Sequence, residues 1–397
     1  MAGPSTSSRE LDVLLLGATG FTGRLVAQEL AARISGTRMR WGIAGRDMDR
    51  LEPLAAELAL AGGAGPEVVR VDVTDPESLA RMAASTRVLA TTVGPYARLG
   101  VEVARACATH GTHYADITGE EAFVRTLERD IDPLARESGA TMVVCCGFDS
   151  VPHDLGVRFA VSHLPDDADV AMRGYVRARG RMSGGTARTA LDTVSGAAPV
   201  PSRPPSSGGD LRPVERLRIG IHRPARFGGW AVPMPTVDPA IVLRSARRLP
   251  GYGRSFAYGH YAHLRRTTTL VGGGAALGAA ALAARTGPGR TLLERLLPSP
   301  GEGPDAATRA AGSFTVLLVG IARRDEEQVA GVIARVRGGD PGYGETSRML
   351  AEAALTLAGD ERPDVTGVVT PAVGLGAPYQ RRLESSGMRF ELVESDS

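Results

Sequence analysis

Three glycines near the start of the chain have the spacing of a phosphate-binding turn. Gly17, Gly20 and Gly23 follow the apolar run 13–16 and precede a helical pattern. Glycine lets a backbone turn tightly against a ligand, and the N–H groups at the start of a helix favour a phosphate. The first two glycines are one residue further apart than in G-x-G-x-x-G. The flanking strand and helix nevertheless favour a dinucleotide-binding turn over a plain strand–turn–helix. The predicted cofactor-binding residues of this turn are Gly17, Ala18, Thr19, Gly20, Phe21, Thr22 and Gly23.

Two further positions bear on the adenosine end of a dinucleotide. Arg46 follows the predicted strand 39–44, where an acidic residue would bind the ribose 2′-hydroxyl of NAD. A guanidinium suits a 2′-phosphate instead, through bidentate charge-assisted hydrogen bonds, so the sequence favours NADP. The alternative is a solvated Arg46, with Asp47 binding a free ribose. Asp72 follows the next predicted strand, either beside the adenine ring or as a helix cap.

Polar side chains also follow later strand ends, where ligands bind in doubly wound sheets. Gly94 and Tyr96 come after the strand 87–92, and we expect them near the nicotinamide. Asp149 and His153 lie in the polar loop after another buried strand. We predict Tyr96, Asp149 and His153 as candidate catalytic proton donors. The alternatives are a packing aromatic for Tyr96, a helix cap for Asp149 and a packed histidine for His153.

The composition argues against several classes of protein. The chain has 397 residues and a formal net charge of +2, so nothing favours nucleic acid as a partner. Its polar start lacks the apolar core of a signal peptide, and its three cysteines show no metal-binding spacing. We therefore expect a cytoplasmic protein with reduced thiols and no metal site. Since the chain has no lysine, neither a lysine Schiff base nor a Tyr-x-x-x-Lys pair can form.

Strands alternate with helices from residue 11 to residue 146, the signature of a parallel α/β sheet. The sequence predicts a Rossmann-type doubly wound sheet of class α/β, followed by a second α+β domain. The predicted divisions are a disordered lead-in over 1–10, an NADP-binding domain over 11–165, an α+β substrate or oligomerisation domain over 166–338 with a mobile loop near 197–213, and a C-terminal segment over 339–397 that packs back on the first domain.

An apolar stretch over 270–284 contains no charged residue. It is shorter than the roughly 17–25 apolar residues of a membrane span. One interpretation is an internal helix or a contact helix of a homo-oligomer. The other is a peripheral membrane contact at the inner face of the plasma membrane, anchored by the aromatic and arginine cluster of residues 252–266.

Several of these segments carry a family resemblance. The motifs at 17–23, 44–46, 93–96, 114–120 and 147–156 resemble those of the saccharopine dehydrogenase-like oxidoreductases, and most of all the trans-acting enoyl reductases. Two later segments, 339–344 and 370–376, resemble the same group. The resemblance implies a nicotinamide-linked reductase with a Rossmann domain and an α+β domain. Enoyl reductases of this kind are associated with polyketide-derived lipid and glycolipid synthesis, whereas no saccharopine substrate signature is evident.

The first functional hypothesis is therefore an NADPH-dependent reductase of an activated C=C bond, with a small-molecule or acyl-chain substrate. A hydride would go to the β-carbon, and a protein group would protonate the α-carbon or stabilise the enolate. The second hypothesis is reduction of an imine or oxo acid. A third is a membrane-associated scaffold that binds NADP without turnover.

Overall fold

A computed structural model describes residues 9–60, 65–180, 210–234, 236–284, 286, 289, 291 and 303–396. These residues form two compact units. The first unit comprises the described residues of 1–151, together with 303 and 343–386, and the second comprises those of 152–299, 304–342 and 387–396. The C-terminal segment 339–397 is therefore divided between the two units.

The first unit is built on seven parallel strands with the order β13-β6-β5-β4-β1-β2-β3. The strands are β1 (Leu11–Leu16), β2 (Trp41–Gly45), β3 (Glu67–Arg70), β4 (Thr86–Thr91), β5 (His113–Asp116), β6 (Thr141–Val143) and β13 (Gly367–Val369). The strand order reverses at the neighbouring β1 and β4, which is the switch point where doubly wound sheets bind ligands. The predicted Rossmann-type fold is confirmed.

Helices connect these strands and cover the sheet. They are α1 (Phe21–Ile34), α2 (Met48–Leu60), α3 (Pro76–Ser85), α4 (Tyr96–His110), α5 (Glu121–Asp130), α6 (Asp132–Ser138), α11 (Gly344–Ala358), α12 (Pro371–Gly374) and α13 (Gly376–Ser385). The central strand β1 is buried along almost its whole length, as a run of apolar residues in a parallel sheet predicts. Helix α11 comes from the C-terminal part of the chain, packs against α1 and is buried from Glu345 to Ala358 apart from Arg348.

The second unit contains a mixed sheet with the order β14-β12-β11-β7-β10-β8, and β9 pairs with β10. Its strands are β7 (Asp169–Arg179), β8 (Val214–Arg216), β9 (Trp230–Pro233), β10 (Ser255–Leu264), β11 (Ser313–Arg324), β12 (Glu327–Gly338) and β14 (Arg389–Asp396). Strand β10 is parallel to β7 and β8, and the other pairs are antiparallel. Its helices are α8 (Asp238–Arg248), α9 (Thr267–Ala284) and α10 (Ala306–Ala310), while α7 (Val151–Val161) starts at the division between the units. The predicted second α+β domain is confirmed.

Two predicted segments fall largely outside the described residues, namely the lead-in (1–8) and most of the mobile loop (197–209). The apolar stretch 270–284 is helical and belongs to α9. Within the described parts of the chain, no helix combines the length and apolar character needed to cross a bilayer.

Candidate functional site

Two glycines of the turn between β1 and α1, Gly17 and Gly23, have no room for a side chain. Gly17 has a left-handed φ of +92°, and a Cβ atom there would lie 2.8 Å from Thr92 Oγ1. A Cβ on Gly23 would lie only 2.0 Å from the carbonyl oxygen of Gly17. Helix α1 thus starts in direct contact with the turn, and the Thr92 hydroxyl donates to the same Gly17 carbonyl at 3.2 Å. These contacts explain why glycine is needed at both positions.

The N-terminus of α1 suits an anion. Its N-cap is Gly20, which has no side-chain cap, and its first turn contains no acidic residue, so the helix itself brings no negative charge to its N-terminus. Ala18 is buried, while Thr19, Phe21 and Thr22 are half-buried around the turn. The Thr19 carbonyl accepts a hydrogen bond of 3.1 Å from Arg50 Nη2. Arg50 therefore adds a positive charge beside the turn, a contribution that the sequence motif did not reveal.

Arg46 is exposed directly after β2. The side chain of Asp47 accepts the backbone N–H of Arg50 at 3.2 Å, at the start of α2. Asp72 accepts both the N–H of Thr74 at 2.9 Å and its hydroxyl at 2.7 Å. These hydrogen bonds lower the pKa of Asp72, and the charge of Arg46 contributes in the same direction. Arg46 and Asp72 therefore share the edge where an adenosine moiety is expected.

Tyr96 is buried at the start of α4, next to the exposed Gly94. Its hydroxyl donates to the Thr91 carbonyl at 3.0 Å and accepts the N–H of Ile117 at 3.4 Å. Burial, followed by the charge of Asp116, holds the pKa of Tyr96 well above its usual value. The hydroxyl thus remains protonated and links the ends of β4 and β5.

Two carboxyl groups that sequence reasoning did not assign organise the same edge. Glu120 accepts the N–H groups of Tyr96 and Ala97 at 2.8 and 2.9 Å, which caps α4. Asp116 Oδ1 accepts the N–H groups of Thr118 and Cys145 at 3.0 and 2.9 Å. Burial raises the pKa of Asp116 to about 6. Their only signal in the sequence was their place in the motif 114–120.

Cys145 follows β6 with a φ of +61°, a left-handed conformation that is uncommon for residues other than glycine. Asp116 holds its N–H group there. Strained backbone of this kind concentrates at functional sites, because the surroundings must enforce it. Asp116 thus joins the end of β5 to the segment after β6.

Asp149 is half-buried in the loop after β6. Its Oδ2 atom would lie 3.6 Å from a Cβ atom placed on Gly119, in the loop after β5. The neighbouring Phe148 N–H donates to Thr346 Oγ1 of α11 at 3.2 Å. A helix from the C-terminal part of the chain therefore holds the loop that carries Asp149.

His153 lies in the second unit, in a fully buried cluster with Asp238 and His260. His153 Nδ1 is 2.8 Å from Asp238 Oδ1, and His260 Nε2 is 3.6 Å from Asp238 Oδ2. Burial alone would raise the pKa of Asp238, but the charges of both histidines and a hydrogen bond from His153 lower it below its usual value. Burial lowers the pKa of His260 to about 4. The structure thus places His153 among buried side chains of the second unit.

The ligand atoms of His153, Asp238 and His260 all lie within 4.8 Å of one another, which is compatible with one metal ion. Their separation along the chain hid this grouping from any search for metal-binding spacing. The short His153–Asp238 contact already pairs two of the three groups.

Comparisons with known proteins identify the family. A family model, the saccharopine dehydrogenase NADP binding domain, matches residues 13–143. A candidate trans-acting enoyl reductase of Mycobacterium tuberculosis is 34% identical, over 98% of this chain and 98% of its own. A trans-acting enoyl reductase of Mycobacterium leprae is 31% identical, over 97% of this chain and 98% of its own. The chain therefore belongs to the trans-acting enoyl reductase group of the saccharopine dehydrogenase-like oxidoreductases.

The fold agrees with this membership. Apo saccharopine dehydrogenase (L-Glu forming) of Saccharomyces cerevisiae aligns with a TM-score of 0.56 at 13% identity, over 96% of this chain and 99% of that chain. The matched NADP-binding region includes the glycine turn, Arg46, Asp72, Gly94 and Tyr96. This oxidoreductase uses NADP, as the sequence predicted. The roles of the individual residues remain predictions.

Replacing Gly23 by alanine tests the contact between α1 and the turn. Because the new methyl group would overlap the Gly17 carbonyl, we expect a loss of about 1–3 kcal/mol or more in the free energy of unfolding and weakened NADPH binding. Gly278→Ala is the matched control, since a Cβ there meets no atom within 4 Å. Equal unfolding curves for the two variants would contradict the expectation that a methyl group at position 23 overlaps the Gly17 carbonyl oxygen.

Arg46→Ala tests cofactor choice in this oxidoreductase. If Arg46 binds the 2′-phosphate, the variant should bind NADPH roughly 10-fold or more weakly in a fluorescence titration, with NADH binding unchanged. The matched control is Arg38→Ala, which removes an exposed arginine before β2, at the opposite end of the strand. Unchanged NADPH affinity in Arg46→Ala would shift the assignment to another group, such as Arg50.

The buried His260 predicts a dependence of stability on pH. An unfolded histidine binds a proton near pH 6.5, whereas His260 binds one only near pH 4. The unfolded chain binds more protons between these values, so the free energy of unfolding should fall as the pH is lowered from about 6.5 to about 4. In denaturant titrations at several pH values, the free energy of unfolding of His260→Gln should depend less on pH over this range than that of the wild type. His163→Gln removes a half-exposed histidine of the same unit as a control, and equal slopes for His260→Gln and the wild type would refute the prediction.

Proposed function

We propose that this NADP oxidoreductase is an enoyl reductase that reduces the activated C=C bond of an acyl thioester in lipid or polyketide biosynthesis. The names of relatives that match along nearly the whole chain support the reaction type. The observation that carries the proposal is the carboxyl edge of the first sheet, where a phosphate-compatible turn and a half-buried carboxyl group, Asp149, occur in one unit.

The first unit offers features suited to each part of the cofactor. The start of α1, with glycine at its N-cap and no acidic residue in its first turn, suits the pyrophosphate, and Arg46 suits the 2′-phosphate. Gly94 is exposed after β4, next to the switch point, so a flat ring can approach the backbone there. NADPH, when bound, supplies the hydride. The chain itself orients the substrate and handles the proton.

Among the predicted donors, we assign the proton to Asp149. Its side chain is half-buried beside Gly119, so that it combines a restricted environment with access to solvent or substrate. The hydroxyl of Tyr96 already donates to the Thr91 carbonyl, which suits a positioning role at the edge between β4 and β5. His153 is paired with Asp238 in the second unit, and we assign it to the stability of that unit.

In this assignment, the Asp149 carboxyl transfers its proton from Oδ to the α-carbon, directly or through one water molecule. Proton transfer by a positioned side chain contributes roughly 10²–10⁴-fold to a rate. The buried Asp116 and the half-buried Glu120 hold backbone N–H groups and fix the shape of the edge. Protonation and the shape of the edge are thus assigned to different side chains.

The experiment follows NADPH oxidation with 2-enoyl thioesters of increasing chain length, and separately with mixtures of an oxo acid and an amine. We expect turnover with the thioesters only. Asp149→Asn should lower kcat by roughly 10²–10⁴-fold with an unchanged Kd for NADPH. The control Asp360→Asn, at an exposed carboxylate of the same unit, should retain full activity.

Each other outcome contradicts a stated part of the proposal. NADPH oxidation with the mixtures of oxo acid and amine, but not with the thioesters, would favour imine reduction. Tight NADPH binding without any turnover would favour the non-catalytic scaffold. An unimpaired Asp149→Asn would transfer the donor role to another group.

A further inference from the structure

Helix α9 (Thr267–Ala284) is an apolar helix exposed to solvent. It has 18 residues and no charged residue, and its length is about 27 Å. Val271 is 65% exposed and Leu282 is 70% exposed. A Cβ atom on Gly272, Gly273 or Gly278 would meet nothing within 4 Å. The described part of the second unit therefore leaves this helix uncovered.

The exposure is not confined to one stripe of the helix. Val271, Gly272 and Gly273 are consecutive, so they point to three sides about 100° apart, and all three are exposed. None of the side chains described in α9 is buried. A helix that is apolar on all sides is typical of one that lies within a protein core or in lipid.

The base of α9 combines an aromatic ring with positive charges. The indole N–H of Trp230 donates to Thr267 Oγ1 in the first turn at 3.0 Å. The Arg223 guanidinium lies 4.4 Å from the centre of the Trp230 ring. Arg265 and Arg266 precede the helix directly and are exposed. Tryptophan and arginine are the side chains that concentrate at the boundary between membrane and water.

The segment that leads to Trp230 has the same character. Ile219 is 43% exposed and Ile221 is 59% exposed, and the exposed Arg218 and Arg223 flank these two side chains in the chain. Exposed apolar residues interspersed with arginines complement an anionic lipid surface, because the charges can stay among the headgroups while the apolar groups enter the layer below.

We propose that α9 inserts into the surface of a bilayer rich in anionic lipids, with Trp230, Arg223, Arg265 and Arg266 at the level of the headgroups. A second copy of this chain is the alternative occupant. Pairing between two helices covers one stripe of each, whereas lipid covers every side of an apolar helix that enters the hydrocarbon layer. The all-round exposure of α9 and the arginines at its base therefore favour lipid.

The test is flotation of the full chain with vesicles of phosphatidylcholine and phosphatidylglycerol, compared with vesicles of phosphatidylcholine alone. We expect binding to the anionic vesicles. The double variant Val271→Glu/Leu282→Glu should bind about 10-fold more weakly or worse, because a carboxylate resists entry into the bilayer. Arg265→Gln/Arg266→Gln should weaken binding to anionic vesicles about fivefold for each arginine removed.

The matched control is Leu60→Glu, an apolar-to-acidic change at a side chain that is 89% exposed at the end of α2 in the first unit. It should bind vesicles like the wild type, and all variants should bind NADPH equally. A wild type that floats with neither vesicle overturns the proposal, as does an equal loss in Leu60→Glu. A dimer in light scattering that Val271→Glu/Leu282→Glu converts to monomer, without vesicle binding by the wild type, would assign the helix to a second copy.

Discussion

The first unit depends on one close contact, between the start of α1 and the carbonyl oxygen of Gly17. At Gly23 no side chain can be accommodated, and Thr92 at the end of β4 donates to the same carbonyl. The carbonyl oxygen of Gly17, directly after β1, thus contacts both the first turn of α1 and the residue that follows β4. These three elements meet at the switch point of the sheet, so the geometry that packs the helix also directs its N-terminus toward the ligand edge.

Local patterns predicted the elements of the first sheet well, because strands buried on both faces need continuous apolar runs and the glycine turn has a narrow set of solutions. Local sequence patterns could not predict contacts between residues that lie far apart in the chain. Strand β13 joins the sheet beside β6, although about 220 residues separate the two strands in the chain. Thr346 supports the backbone of Phe148 over a similar separation. No periodicity encodes such pairings.

The second unit shows the same limit more clearly. The mixed strand order and the pairing of β14 with β12 depend on register between distant segments. His153 followed a strand end in the sequence, which made it a candidate donor. Its placement depends on Asp238 and His260, and nothing local in the chain linked the three.

Two of the acidic residues at the ligand edge hold the backbone of its loops. Both oxygens of Glu120 and one oxygen of Asp116 already accept backbone N–H groups, so their negative charge is used to hold loops in place. Losing the Asp116 carboxylate would leave the buried N–H groups of Thr118 and Cys145 without that acceptor, which is costly for the fold itself. Asp149 lies where the loops after β5 and β6 approach each other, and it keeps partial exposure. A carboxyl group that must release and regain a proton needs that access. The sequence places all three residues in motifs of similar polarity, and the structure adds that Asp116 is buried whereas Glu120 and Asp149 are half-buried.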